Sequence, residues 1–246
     1  MPTKIAPPTP PKKSQRGRKP VGSPEALTKP RIVAAALQLL DTGGVGSFSV
    51  RDLARALDVY PASIYWHVGS RNGLLAEMVA TVLADIAPVV AHARWQDWLR
   101  DLFGRYRAAI RRHPQAASLV GAQLVSNASI DFGLIEAMLR VLSDAGFHDA
   151  RLREAFSVVT AAQVGFVTLE YAPAPEENYA DWSADMQALI HSADPASFPL
   201  LTANLDRMAN QSFTLRWENG RTAPMDPAFE LYVDTVIAGL ERIAQQ

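Results

Sequence analysis

The stretch SVRDLARALDVYPASIYWHVGSRNGLL, Ser49–Leu75, decides how this chain is read. Ser49 makes a good helix N-cap because its hydroxyl can accept from an amide of the first turn. Leu53, Ala54 and Leu57 then share one face of a short helix. Pro61, tolerated in a first helical turn, opens another that runs to about His67. Only a short turn separates the two, so they must cross steeply. Small inner residues permit such a crossing, here Ala54 and Ala62, with Val59 and Ile64 plugging the angle. Asp58 falls in the turn, and Asp is among the few non-glycine residues that accept a left-handed backbone. The spacing predicts a helix-turn-helix from Ser49 to Val68.

Outward from this motif the chain reads as further helices. Upstream, Ile32, Ala35, Ala36, Leu39 and Leu40 recur at helical spacing behind Thr28, with Gly43-Gly44 as the stop. Downstream, a helix from Ser70 carries Leu74, Leu75, Met78, Val79 and Val82 inward. Seven more candidates follow at 96–112, 115–127, 132–145, 150–171, 181–191, 198–210 and 227–244. Ser212–Trp217 is the nearest thing to a strand, and it is short. The expected fold is all-α, a three-helix head joined to a larger helical body. Residues 1–26 form a basic, proline-rich arm, 27–83 the head and 84–246 the body.

Composition narrows the function. The formal charge of −1 conceals +7 over residues 1–75, where eleven Lys/Arg face four acids, and −8 over the remainder. A basic front on an acidic body suits a polyanion bound at one end. The absence of cysteine excludes disulfides, thiolate zinc sites and cysteine nucleophiles. The five histidines are scattered, with no HExxH spacing, and no GxSxG, P-loop or dinucleotide glycine pattern occurs. We therefore expect no enzyme, no metal and no cofactor. The basic N-terminus runs into prolines rather than an apolar segment, and 155–169 is too short to span a bilayer. The expectation is a cytoplasmic protein without a membrane partner.

The motif closely resembles the TetR family of repressors. The resemblance rests on Val50-Arg51-Asp52-Leu53-Ala54, Leu57-Asp58-Val59, Ser63-Ile64-Tyr65-Trp66-His67-Val68 and Leu74-Leu75, and is strong over Thr28–Val82. Phe229–Glu241 is more weakly similar to the family's C-terminal helix. Tyr60 stands where the family usually has a small capping residue, Asp58 where glycine is common, Arg71 for lysine and Val68 for phenylalanine. The resemblance implies that Pro61 and Ala62 face bases, as methyl-sized surfaces suited to thymine, and that Ser49, Ser63, Tyr65, His67 and Arg71 hold phosphates. Arg51, opening the first helix of the motif, can reach a guanine edge with two bonds. Trp66 is expected in the core.

Gln15-Arg16-Gly17-Arg18-Lys19-Pro20 resembles the core of an AT-hook with Lys19 inserted. An extended arm of this kind would carry Arg16, Arg18 and Lys19 into a narrow minor groove. A flexible arm that adds only general phosphate attraction is the alternative.

The resemblance further implies an effector-binding core and a homodimer formed by the last two long helices. Phe229, Val233, Val236, Ile237 and Leu240 make the candidate dimer stripe, which is core in any reading. Gln123, Thr160 and Gln163 lie within apolar helices, near Phe132, Met138, Phe156 and Phe166 in neighbouring elements, and form the candidate pocket. Each could equally be an ordinary core residue. As a set they suggest a mostly hydrophobic small molecule. A dimer with two reading helices wants a near-palindromic operator of double-stranded DNA. The competing reading is a helical adaptor that uses its basic tail on acidic partners or membranes. Arg51→Ala separates the two, since it should cost operator binding about 1–3 kcal/mol and relax specificity, whereas an adaptor gives no operator footprint.

Overall fold

The computed structural model describes residues 26–89, 92–122, 130–175 and 177–246. Helix α1 (Lys29–Ser47) begins where the Thr28 hydroxyl accepts from the Arg31 amide at 3.4 Å, with Pro30 in the first turn. It bends sharply at Gly44 (φ 69°, ψ 175°), a left-handed backbone that suits a residue without Cβ. Regular helix thus breaks at the glycine pair, and a short second piece follows before Phe48, where the backbone becomes extended.

Helices α2 (Val50–Ala56), α3 (Pro61–Val68) and α4 (Arg71–Val82) complete the head. The body follows as α5 (Trp95–Arg112), a 3-10 turn at Pro114–Ala116, α6 (Ala117–Ala122), α7 (Phe132–Asp144) and α8 (Asp149–Glu170). Helices α9 (Tyr179–His191), α10 (Pro199–Met208) and α11 (Asp226–Ala244) end it. No strand occurs among the described residues. In the Ser212–Trp217 region the chain instead turns around Asn210. That residue takes φ 56°, and its Oδ1 accepts from the Trp217 and Glu218 amides at 2.9 and 3.0 Å.

Two hydrophobic clusters hold these helices. The first gathers Ile32, Ala36 and Leu40 of α1, Leu53 and Ala54 of α2, Ile64 of α3, and Leu74, Leu75 and Met78 of α4. It does not stop at residue 83, because Tyr106, Ile110, Leu119, Val167 and Tyr171 continue it into the body. The second joins Trp98, Leu99, Leu102 and Phe103 of α5 to Met138 and Leu142 of α7, Val159 of α8, and Val233, Ile237 and Leu240 of α11. Burying a side chain of this size is worth about 1.5–3 kcal/mol. Helices α5 and α8 thus serve both clusters and tie head to body. A polar link adds to the tie, with His113 Nδ1 2.8 Å from Asp41 Oδ2 of α1.

The apolar stripe of α11 therefore needs a correction. Val233, Ile237 and Leu240 are buried within their own chain, Val236 packs against the same cluster, and the Phe229 ring lies 5.3 Å from that of Phe166. Val233, Ile237 and Leu240 are thus consumed by the intrachain core, whereas Phe229 and Val236 stay half-buried. Among the residues that α11 exposes are Leu231, Thr235 and Gly239, with Ala228 half-buried, spaced by helical turns. Helix α8 leaves Val158, Ala161 and Leu169 exposed with Gly165 half-buried, in the same spacing.

Candidate nucleic-acid interface

The motif is assembled from local chemistry. The Ser49 hydroxyl accepts from the Asp52 amide at 3.2 Å and lies 2.5 Å from Asp52 Oδ2, so cap and third residue satisfy one another. Arg55 Nη1 donates to Asp52 Oδ1 at 2.6 Å. The Ser49 hydrogen bond and then the Arg55 contacts hold the Asp52 carboxyl below its ordinary pKa. Helix α2 ends as Leu57 donates to Leu53 O, and Asp58 turns the corner at φ 54°. Val59 N then returns to Ala54 O at 3.0 Å, closing the turn against α2. Tyr60 supplies no side-chain cap to α3, and the fixed φ of Pro61 starts the helix instead.

A residue absent from the sequence argument fixes how α4 leaves α3. A Cβ on Gly73 would stand 2.2 Å from the Val68 carbonyl oxygen. Only glycine allows the α4 N-terminus to sit so close beneath the end of α3, where Gly69 takes φ 75°. Ser70 caps α4 by accepting from the Gly73 amide at 3.0 Å. A glycine one turn into a helix, just after a serine cap, was the available signal.

Each expected DNA contact can now be placed. Ile64 is wholly buried and defines the inner side of α3. At 3.6 residues per turn, Ala62 and Trp66 lie nearly opposite it. Ala62 is exposed, which suits base contact and corrects its assignment to the helix crossing, a role that falls to Ala54. Trp66 is 82% exposed rather than in the core, with its ring edge-on to His67 at 4.7 Å. Arg51, Tyr65 and Arg71 are exposed, whereas Pro61, Ser63 and His67 are half-buried. Neither Arg51 nor Arg71 has a side-chain partner among the described residues, in contrast to Arg55. Ser49 differs from the rest because Asp52 already engages its hydroxyl. Arg16, Arg18 and Lys19 lie outside the described residues.

The pocket residues do not converge as a set. Phe132 is 76% exposed, and Thr160 is exposed with its hydroxyl donating to Phe156 O at 2.9 Å. Met138 and Phe156 belong to the second cluster, and Gln123 lies outside the described residues. Gln163 and Phe166 do sit in the interior of α8. Phe166 meets Phe213, Phe229 and Tyr232 at ring separations of 5.0–5.3 Å. Gln163 Nε2, Tyr106 OH and Thr168 Oγ1 are buried without hydrogen-bond partners among the described residues. Burial raises the Tyr106 pKa. Tyr106 went unnoticed in sequence, where it reads as one more core aromatic.

A recognition helix with an outward face, paired to a capped first helix through a left-handed turn, defines a DNA-binding regulator of helix-turn-helix type. Comparison with known proteins gives the family. Residues 32–78 match the profile described as "Bacterial regulatory proteins, tetR family", and residues 87–243 match "Tetracyclin repressor-like, C-terminal domain". Among curated relatives, an HTH-type transcriptional regulator of Saccharopolyspora erythraea is 29% identical over 72% of this chain and 75% of its own. The class G tetracycline repressor of Vibrio anguillarum is 25% identical, covering 88% of this chain and 95% of its own. The crystal structure of the Streptomyces coelicolor TetR family protein ActR in complex with actinorhodin superposes with a TM-score of 0.63. It shares 25% identity and covers 90% of this chain and all of that one. The chain belongs to the TetR family and is a transcriptional regulator, not an enzyme.

Proposed function

We propose that this regulator is a homodimeric repressor that holds a near-palindromic operator and releases it when a mostly hydrophobic small molecule binds the body. One observation carries the reading: an open reading face on α2 and α3 coexists with an open apolar face on α8 and α11. Arg51, Pro61 and Ala62 reach base edges, while Ser63, Tyr65, His67 and Arg71 hold phosphates. Ser49 takes part through its backbone, since its hydroxyl is engaged as a cap. Arg16, Arg18 and Lys19 add a minor-groove arm.

The partner copy covers Val158 and Leu169 of α8 and Leu231 of α11, the last 69% exposed. A Cβ at Gly165 or Gly239 would meet no atom within 4 Å, so both faces stay open to a close helix. The effector site centres on Gln163 and Phe166, with Tyr106 and Thr168 as further polar groups awaiting partners. The relatives support a small-molecule effector, for they include tetracycline repressors and ActR solved with actinorhodin. An effector that favours badly spaced heads weakens DNA binding, and DNA weakens effector binding equally. Helix α4 links the two events because it belongs to the head cluster and leads into the body. Placement in the cytoplasm accords with the DNA target. Among the described residues no helix is long and apolar enough to cross a membrane.

The test is a protection footprint on DNA flanking the protein's own coding region, with and without candidate hydrophobic metabolites. A protected near-palindrome that opens on adding one of them supports the reading. No footprint at any concentration returns the adaptor alternative. Light scattering at micromolar concentration must give twice the monomer mass.

A further inference from the structure

A cleft of about 370 Å³ opens where head meets body, away from both the reading face and the middle of α8. Asp41 of α1, Arg111 and Arg112 in the last turn of α5, Tyr171 after α8, and Gly220 and Arg221 line it. Three arginines and one aspartate thus line it. That carboxylate is already engaged by His113 at 2.8 Å. Arg111 reaches Asp226 only at 3.9 Å, and Asp226 is held more closely by Arg107 at 2.6 Å. The side chains of Arg112 and Arg221 have no ion-pair or hydrogen-bond partner among the described residues.

The negative end of the α5 dipole accounts for Arg111 and Arg112 at its C-terminus. It does not account for Arg221, which arrives from the loop before α11 and is anchored there. The Gly220 amide donates to Glu170 O at 2.8 Å, and a Cβ at 220 would stand 2.6 Å from Glu170 Cγ. Asn219 Nδ2 adds a bond to Ala172 O at 3.3 Å. Tyr171 is 3% exposed, and its hydroxyl has no partner among the described residues. Leaving such a group unpaired is costly.

A concave site lined by three arginines, two of them without side-chain partners among the described residues, suits an oxyanion. We propose that this cleft binds a small metabolite through a phosphate or carboxylate group. It is a second ligand site, chemically unlike the apolar effector region.

The test is equilibrium dialysis of the full chain against inorganic pyrophosphate and against citrate at fixed ionic strength. Arg112→Gln and Arg221→Gln are compared with Arg140→Gln, a control on α7 whose arginine pairs with Glu136. The expected result is one saturable site per chain for at least one probe. Its affinity falls tenfold or more in each arginine variant of the cleft and is unchanged in Arg140→Gln. The preferred probe tells phosphate from carboxylate. Absence of saturable binding overturns the proposal, as does an equal loss in Arg140→Gln. It also falls if the cleft variants keep both probes but weaken double-stranded DNA and flatten its salt dependence, the mark of a DNA backbone contact.

Discussion

Arg107 holds Glu170 through two bonds, Nε to Oε2 at 2.8 Å and Nη2 to Oε1 at 2.5 Å, with Glu170 wholly buried. Burial works against the charge on Arg107, but the bonds to Glu170, its charge and those of Asp226 more than reverse this and raise its pKa. The Met225 amide also donates to Glu170 Oε1 at 3.0 Å, so one carboxylate ties α5, α8 and the start of α11 together. Breaking a buried pair from one side costs about 3–5 kcal/mol. Glu170→Ala should fall near the low end, because Arg107 keeps Asp226 at 2.6 Å. Urea unfolding of Glu170→Ala, Arg107→Met and the double variant checks this. The double should lose clearly less than the sum of the singles, and strict additivity would deny the coupling.

Gly73 and Gly104 make a contrasting pair. A Cβ at Gly73 meets the Val68 carbonyl at 2.2 Å, whereas one at Gly104 on α5 meets nothing within 4 Å. Gly73→Ala should lower the melting temperature and abolish DNA binding, since α3 and α4 must part. Gly104→Ala should stabilise by about 0.5–1 kcal/mol through helix propensity alone. Thermal melts of both variants settle the signs.

Asp58 carries a left-handed backbone at φ 54°. A β-branched replacement there should cost about 1–2 kcal/mol, the steric cost of that conformation. Asp58→Gly should be neutral or stabilising. Equal stability for Asp58→Val and Asp58→Gly would mean that the turn had rearranged.

Arg51 and Arg71 are both exposed and both unpaired among the described residues, yet they should fail differently. Arg51→Ala should cost about 1–3 kcal/mol of operator binding and relax preference at one base pair. Arg71→Ala should weaken all sequences alike and reduce the salt slope by about 1. Binding titrations at several salt concentrations, on the operator and on single-base variants, separate the two.

Asp52 gives the head an acid-sensitive cap. Its pKa is depressed in the folded chain, first by Ser49 and then by Arg55. The contribution is therefore present above the unfolded value of about 3.9 and is lost as pH falls through the lower folded value. Helicity of the wild type should fall faster in that acid range than that of Asp52→Asn. Parallel acid titrations by circular dichroism would show identical curves if the cap were inert.

Short-range information made much of the head legible. Ser49 and Ser70 as caps, Asp58 in the turn, and the buried row Leu74, Leu75 and Met78 all follow from residue type and a period of 3.6. Most helices of the body were legible for the same reason, with Pro114 and Gly146 as breaks; of the one expected at 115–127, residues 123–127 lie outside the described residues. Sequence by itself determined these elements because capping, periodicity and backbone permission act within one or two turns. Which face of an element is buried depends on what packs against it from far along the chain. Only the tertiary structure decided that Trp66 faces outward, that Val233, Ile237 and Leu240 serve their own chain, and that Tyr106 OH and Gln163 Nε2 stay buried and unpaired among the described residues. It alone brought Arg221 beside Arg111 and Arg112, because the bond from Gly220 to Glu170 spans segments that no local pattern connects.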